Sequence, residues 1–333
     1  MDNGQDFFWM GGRLARGLEE VSSDPRVLED GNFWAISTTF EGEGCFARFS
    51  EVTESDFPQS SDTWMALSDQ WVSSMDEPSF LTYVENIRES VLRGDVYQVN
   101  ACREISIGGV TQSLAPLFSK LLADNPAPFA TYLKIPELEI ASASPERFLS
   151  RNGSTILTSP IKGTQTLNMD GFGEKDQSEN IMIVDLMRND LGKICIPGSV
   201  EVSALLRSED HPGLRHLVSD VVGELSSDIS WMQILQSLSP PGSVSGTPKS
   251  SALKIISQSE PTARGNYCGA LGWIEGDTAQ LAVAIRTFWR SQDQVLRFGT
   301  GAGITWGSNP HDEWEETQLK ARKLLSIAGG EIA

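Results

Sequence analysis

Two short segments carry residues whose types and spacing could support chemistry: a lysine beside a glycine turn and a glycine-rich run near the C-terminus. Lys162 lies in the segment Ser-Pro-Ile-Lys-Gly-Thr, between a predicted strand end and a turn. A neutral lysine amine is a nucleophile that can form covalent intermediates, although a lysine in a turn is more often a solvated surface cation. The run 299–303 (GTGAG) offers backbone N–H groups that can approach an anion closely, or it is an ordinary strand-to-turn feature.

The elements that must position these segments are helices and clustered strands. Apolar residues at helical spacing predict helices at 79–94, with Ser79 as N-cap, and at 174–191, 248–258 and 312–327. Strands are predicted at 32–39, 45–52, 96–105, 129–135, 138–143, 155–158, 200–206, 217–225, 268–275, 280–288 and 295–298. Strands that cluster rather than alternate with helices favour an α+β domain with layered antiparallel sheets.

Composition excludes several classes of function. The 333 residues include 26 Lys and Arg against 45 Asp and Glu, and the resulting net charge of -19 argues against binding to nucleic acid or to an anionic membrane surface. An acidic protein that handles an anionic small molecule must concentrate positive charge or a metal in its site. The four cysteines contain no CxxC pair, which favours a reducing cytoplasm. We expect no signal peptide and no membrane-spanning helix.

Further motifs accompany the lysine segment in a fixed order along the chain. They are GDVYQVN (94–100), ASPERF (143–148), SENIMIVDLMRND (178–190), PGSVSGTPK (241–249), AIRT (284–287), GTGAGI (299–304) and EWEET (313–317). In this order the set resembles the chorismate-utilising enzymes, a family that includes anthranilate synthase component I, isochorismate synthase, salicylate synthase and aminodeoxychorismate synthase component I. The resemblance covers about residues 75–330. It implies a catalytic domain over 75–330, of layered antiparallel sheets flanked by helices, with a short N-terminal portion (1–74) packed on it.

The resemblance also implies a reaction. In this family a lysine in Pro-Ile-Lys-Gly-Thr marks the aminodeoxychorismate synthases, whereas relatives carry alanine, so Lys162 is the expected covalent nucleophile in the amination of C4 of chorismate. Glu146 resembles the general acid of the family, although a carboxylate beside Arg147 could be a simple ion pair. Gln98 occupies the position at which water-adding relatives carry a basic lysine, which favours ammonia over water as the nucleophile.

The remaining site residues follow from the same resemblance. Glu179 and Glu316 match the Mg²⁺ ligands of the family, with Glu313 as a helper through water; the alternative is a solvated acidic helix face with a Glu316–Lys320 pair. Arg286, Lys320 and Tyr267 match positions that bind the substrate carboxylates. The other expected contacts with substrate are Gln98, Gly163, Thr164, His216, Gly301, Ala302 and Gly303, although a lone histidine such as His216 is more often structural.

The sequence also predicts a partner subunit and leaves two alternative functions open. No cysteine has the context of a glutaminase nucleophile, so ammonia is expected from a separate glutamine amidotransferase subunit. The expected activity is that of aminodeoxychorismate synthase component I, in 4-aminobenzoate and folate biosynthesis. The alternatives are anthranilate synthase component I, which lacks the lysine, and a non-catalytic chorismate-binding subunit, which would not need Lys162 and Glu146.

Overall fold

The computed structural model describes residues 6–58, 62–167, 171–211 and 214–332. Its helices are α1 (Glu77–Leu92), α2 (Ala115–Asp124), α3 (Glu174–Leu191), α4 (Trp231–Leu238), α5 (Lys249–Ser259) and α6 (Pro310–Ala328). Short 3-10 helices cover Pro25–Asp30 and Gly242–Val244. No helix in the described part of the chain is long and apolar enough to cross a membrane.

The described strands number nineteen and fall along the whole chain. They are β1 (Phe7–Met10), β2 (Arg13–Ser22), β3 (Phe33–Thr38), β4 (Gly44–Glu54), β5 (Leu67–Ser73), β6 (Gln98–Ile107), β7 (Phe129–Ile135), β8 (Leu138–Ser144), β9 (Arg147–Asn152), β10 (Thr155–Ser159), β11 (Ile161–Thr166), β12 (Glu201–His211), β13 (Leu214–Glu224), β14 (Gly246–Thr247), β15 (Ala270–Glu275), β16 (Thr278–Val283), β17 (Thr287–Ser291), β18 (Leu296–Ile304) and β19 (Gly329–Ile332).

Strand pairing links the chain into two long runs joined by the hairpin β1–β2. One run is β1–β7–β8–β17–β18–β6, and β5 and β14 continue it from β6. The other is β2–β4–β3–β15–β16–β9–β10–β13, with β11 and β12 also on β13. All these pairs are antiparallel; β19 pairs with β5 in parallel. The far ends of the two runs lie side by side, because a Cβ built on Gly303 of β18 would be 3.5 Å from Nζ of Lys162 on β11.

The helices that matter for the site are fixed by their caps and apolar faces. Asn309 accepts hydrogen bonds from the amides of His311 and Asp312 and begins α6, with Pro310 in its first turn. Helix α3 buries Ile183 and Val184, among others, against the large core. Helix α6 contributes Trp314 to the same core.

Two buried clusters hold the sheet and helices together. The larger includes Trp34, Phe80 and Trp231 and extends under α1, α3 and α4. The smaller includes Phe118 of α2 and Phe298 of β18. Since Ala302 and Ile304 of β18 lie in the larger cluster, the glycine-rich strand passes from one cluster to the other.

The α+β class with antiparallel sheets and flanking helices is confirmed, and most predicted elements are present. The predicted strand 280–288 is wrong: β16 ends at Val283 and β17 begins at Thr287, because Arg286 adopts a left-handed φ of 53° that breaks the strand. The N-cap of α1 is Asp76 rather than Ser79, since the Asp76 carboxylate accepts from the Ser79 amide. The boundary between 1–74 and 75–330 stays a prediction, although β1, β3 and β5 hydrogen-bond directly into the main sheet.

Candidate active site

A bulge in β11 determines where Lys162 points. Strands β10 and β11 follow one another along β13, separated by Pro160, which has no N–H for the ladder. The register of β11 shifts between Ile161 and Thr164, and Gly163 inside this shift has a φ of 82°. A Cβ on Gly163 would also lie 2.9 Å from the ring of Phe172. Glycine is therefore required twice at this position, and the bulge re-aims the neighbouring lysine.

The amine of Lys162 lies in an enclosed and charged environment. Its Nζ donates a hydrogen bond to the backbone carbonyl of Ser243, at 3.1 Å. Burial lowers the pKa of Lys162, and the Lys320 ammonium lowers it further, while the carboxylates of Glu179, Glu146 and Glu316 act in the opposite direction. The net shift is downward, towards the neutral amine that nucleophilic attack requires.

Glu146 lies between β8 and β9 and is 4% exposed. Burial raises the pKa of its carboxyl to about 7, although the Ser243 hydroxyl, the charge on Lys162, the Ile161 amide and Arg286 each favour the ionised form. The alternative of a simple ion pair on the surface does not fit this buried position. A carboxyl with this pKa can donate a proton near neutral pH.

Ser243 connects the two candidate catalytic groups and was assigned no role from the sequence. Its carbonyl accepts from Lys162, and its hydroxyl hydrogen-bonds the Glu146 carboxyl. It lies in the 3-10 helix Gly242–Val244, which packs closely on α3, because a Cβ on Gly242 would be 2.2 Å from the methyl carbon of Met187. The motif PGSVSG was visible in the sequence, but only the fold places it against β11.

Three predicted metal ligands lie on two facing helices. Glu179 on α3 faces Glu313 and Glu316 on α6: burial raises the pKa of Glu179, Lys162 and Lys175 act to lower it, and the two α6 carboxylates act to raise it. Lysines separate these acids. Lys175 Nζ is 4.0 Å from Glu179 and 3.6 Å from Glu313, and Lys320 is 2.6 Å from Glu316. The Glu316–Lys320 pair, which belongs to the alternative of a solvated acidic helix face, is therefore present.

The three carboxylates are oxygen donors of the kind that Mg²⁺ prefers, but in this structure they are not drawn together around one point. Burial raises the pKa of Glu313, and the nearby Glu316 adds to this effect. Burial acts in the same direction on Glu316, but Lys320, Lys175 and Lys162 outweigh it and lower its pKa. Within the ranges that the structure describes, no three His, Cys, Asp or Glu side chains are gathered closely enough to hold a metal ion. The magnesium assignment stays a prediction, and the carboxylates are neutralised by lysines instead.

The glycine strand presents backbone groups to the same region. Cys102, opposite Gly301, gives its amide to Glu260, and Asn100, opposite Gly303, gives its amide to Ser245. In antiparallel pairing, the amides of Gly301 and Gly303 therefore point away from β6. Strand β17 covers that edge of β18 only as far as Phe298, and Lys320 donates to the Gly301 carbonyl, at 3.1 Å. The expected backbone donors are thus on an edge that faces α6; Ala302 between them is fully buried.

Gln98 lies beside this edge and next to Lys162. Its Nε2 donates to Glu179 at 3.4 Å, and a Cβ on Gly303 would be 2.5 Å from the same nitrogen. The opposite side-chain atom, Oε1, is buried without a hydrogen-bond partner. Gln98 is therefore held over the glycine strand with an acceptor still to be satisfied.

Three other predicted site residues, Arg286, His216 and Tyr267, lie in different parts of the site. Arg286 is close enough to Glu146 for their charges to interact, which partly offsets the lowering of the Arg286 pKa by burial. His216 is buried on β13, opposite Thr164 of β11; the side chain of Thr164 lies outside the described part. Tyr267 packs on Gly299, roughly 13 Å along the strand from Gly303, so it lies at the far end of the glycine surface.

Comparisons with known proteins show the family of the chain. Residues 47–326 match the family described as chorismate binding enzyme. The chain is 35% identical to anthranilate synthase component 1 of Saccharolobus solfataricus, over 77% of the chain and 63% of that protein. It is 34% identical to aminodeoxychorismate synthase component 1 of Salmonella typhimurium, over 78% of the chain and 59% of that protein. The chain thus spans less than two thirds of the length of these relatives.

Solved structures share the fold at lower identity. The menaquinone-specific isochorismate synthase of Escherichia coli superimposes with a TM-score of 0.82 at 19% identity, covering 97% of this chain and 88% of that one. Anthranilate synthase component I of Streptococcus pneumoniae gives a TM-score of 0.78 at 23% identity, covering 98% and 91%.

Proposed function

Since the chain belongs to the chorismate-binding enzyme family, we propose that it is the component that converts chorismate and ammonia into 4-amino-4-deoxychorismate, for 4-aminobenzoate and folate synthesis. The observation that carries the proposal is the pairing of Lys162 with Glu146 around Ser243. One group is a lysine whose pKa is lowered, and the other a carboxyl with a pKa of about 7. A nucleophile and a proton donor are thereby held in one enclosed site.

The chemistry assigns one role to each group. The neutral Lys162 amine adds at C2 of the ring, the two ring double bonds shift, and the C4–O bond breaks while Glu146 gives its proton to the departing hydroxyl, which leaves as water. Ammonia then adds at C4, the two double bonds shift back, and the C2–N bond to Lys162 breaks with its electron pair returning to the lysine nitrogen. The ammonium formed at C4 gives a proton back to Glu146, so both groups are regenerated and C4 carries nitrogen in place of oxygen.

The substrate carries two carboxylates, so the site must supply compensating positive charge. Arg286 and Lys320 provide it directly, and the amides of Gly301 and Gly303 offer hydrogen bonds. Glu179, Glu313 and Glu316 would hold Mg²⁺, which supplies positive charge to a substrate carboxylate when bound.

Ammonia is proposed to come from a separate glutamine amidotransferase subunit. The two kinds of relative are both named as a component 1, which supports an assembly of more than one chain. The four cysteines support the same view: three are buried, and burial raises the pKa of Cys45 and Cys195 to about 11, against thiolate chemistry.

Anthranilate synthase component I is the second candidate, because the Saccharolobus solfataricus relative carries that name. Its reaction would place nitrogen at C2, which is the ring position that Lys162 occupies in the proposed mechanism. The two activities are therefore mutually exclusive at the same carbon.

The test is product identification. The purified chain is incubated with chorismate, Mg²⁺ and an ammonium salt at alkaline pH, with and without an added aminodeoxychorismate lyase, and the products are separated and weighed by mass spectrometry. We expect 4-aminobenzoate that depends on the lyase. Anthranilate without the lyase would establish the second candidate, and unchanged chorismate in the presence of a matching amidotransferase would indicate a binding subunit.

A further inference from the structure

Lys175 links the two helices that carry the acidic cluster. It lies in the first turn of α3, and its Nζ is 4.0 Å from Oε1 of Glu179 on the same helix. The same nitrogen is 3.6 Å from Oε1 of Glu313 on α6. No role was predicted for this lysine from the sequence, and it touches none of the groups that would act on the ring.

The two acids need a counter-ion because they are enclosed. The side chain of Glu313 is 4% exposed and that of Glu179 is 16% exposed, whereas Lys175 is 59% exposed. Two buried like charges are costly without a cation between them. Lys175 reaches them from the surface through its aliphatic stem and keeps most of its side chain in water.

Other charges around the lysine favour the same arrangement. Burial acts to lower the pKa of Lys175, but Glu313, Glu179 and Glu316 together raise it. The Lys175 ammonium, 4.0 Å from Glu179 and 3.6 Å from Glu313, occupies the space that a divalent cation bound to both carboxylates would need.

We propose that Lys175 is a displaceable counter-ion, which holds Glu179 and Glu313 together while the divalent cation is absent and leaves them when the cation binds. The proposal rests on the proposed function only for the use of these carboxylates as metal ligands. A bound dication and the ammonium repel each other, so metal binding must break both ion pairs of Lys175. Breaking these ion pairs costs free energy, so the chain binds the metal more weakly than it would without Lys175.

The test compares Mg²⁺ binding to the wild-type chain and to Lys175→Met by isothermal titration calorimetry, without substrate. The variant removes the charge and retains the length of the side chain. Each ion pair has an exposed lysine as one partner and contributes about 1 kcal/mol or less, and two of them correspond to about tenfold in affinity, so we expect Mg²⁺ to bind about tenfold more tightly to the variant.

Lys193→Met is the matched control. Lys193 follows α3, is 55% exposed and pairs with Asp190, as Lys175 pairs with Glu179. It lies roughly 25 Å further along the helix direction, so its loss changes net charge without touching the cluster. We expect its Mg²⁺ affinity to equal that of the wild-type chain.

Thermal unfolding gives a second readout that does not depend on activity. Without metal, Lys175→Met should have a lower melting temperature than the wild-type chain. Saturating Mg²⁺ should raise the melting temperature of the variant by more than it raises that of the wild-type chain. If Lys175→Met does not fold, the same measurements are made on Lys175→Gln. Unchanged or weaker Mg²⁺ binding in the variant would refute the counter-ion role and leave the proposed function intact. Absence of Mg²⁺ binding by every chain would overturn the metal site and the inference together.

Discussion

Glu146→Gln should make the protein more stable above neutral pH while it removes the proton donor. Glu146 has a pKa of about 7 against its ordinary 4.5, because burial penalises the carboxylate. In the unfolded chain the carboxyl ionises from about pH 4.5, whereas in the folded protein it stays protonated until about pH 7. The stability that this group contributes is fully present below pH 4.5 and is lost as the pH rises to 7.

The magnitude follows from that difference in pKa. It corresponds to roughly 3 kcal/mol of unfolding free energy lost between pH 4.5 and pH 7. Glutamine has nearly the same shape and does not ionise, so it does not incur this loss. We therefore compare the unfolding free energy of the variant with that of the wild-type protein. We expect the advantage of the variant to be about 2 to 3 kcal/mol larger at pH 8 than at pH 5.

The assay is urea unfolding at pH 5 and pH 8, followed by tryptophan fluorescence. Glu137→Gln, which removes an exposed carboxylate, is the charge-matched control and should show no such pH-dependent gain. A difference between Glu146→Gln and the wild-type protein that is equal at the two pH values would refute the assignment of a raised pKa. Glu146→Gln should be inactive at both pH values, because it lacks the proton donor.

Three further changes test other parts of the site. Gly163→Ala should cost about 2–4 kcal/mol in urea unfolding, because of its left-handed φ and lack of space, whereas Gly153→Ala, also left-handed but open, should cost about 1 kcal/mol; equal costs would contradict the steric argument. Ser243→Ala retains the carbonyl that binds Lys162 but removes a hydroxyl that lowers the pKa of Glu146. The alkaline limb of its pH–rate profile should therefore move to higher pH, and an unmoved limb would remove Ser243 from the proton donor's surroundings. Glu179→Gln should raise the Mg²⁺ concentration for half-maximal activity about tenfold; an unchanged requirement would exclude it as a ligand.

The sequence predicted those elements whose own residues indicate both their type and their ends. Helix α3 and strand β7 have the bounds predicted from the sequence, because glycines flank the helix and prolines flank the strand. Helix α4, with eight residues, was too short to be distinguished from its surroundings. The break at Arg286 was missed because nothing in the neighbouring residue types demands a left-handed φ.

Contacts between distant segments could not be read from the sequence. The motif resemblance brought Lys162, Glu146 and Arg286 together in expectation, and the structure gathers them. Ser243 and Lys175 were overlooked because their partners lie 81 residues away in one case and on another helix in the other. A lysine one turn before a glutamate is ordinarily a solvated helix pair, and only the approach of α6 gives it a second partner.

The central claim is that Lys162 bonds covalently to the substrate ring. The most direct measurement is the mass of the intact chain, and then of its peptides, after brief exposure to chorismate and Mg²⁺ without ammonia. We predict an adduct on the peptide that contains Lys162, with the mass of chorismate less one water, which disappears when an ammonium salt is added and is absent from Lys162→Ala. Continued formation of 4-amino-4-deoxychorismate by Lys162→Ala at the wild-type rate would contradict the mechanism.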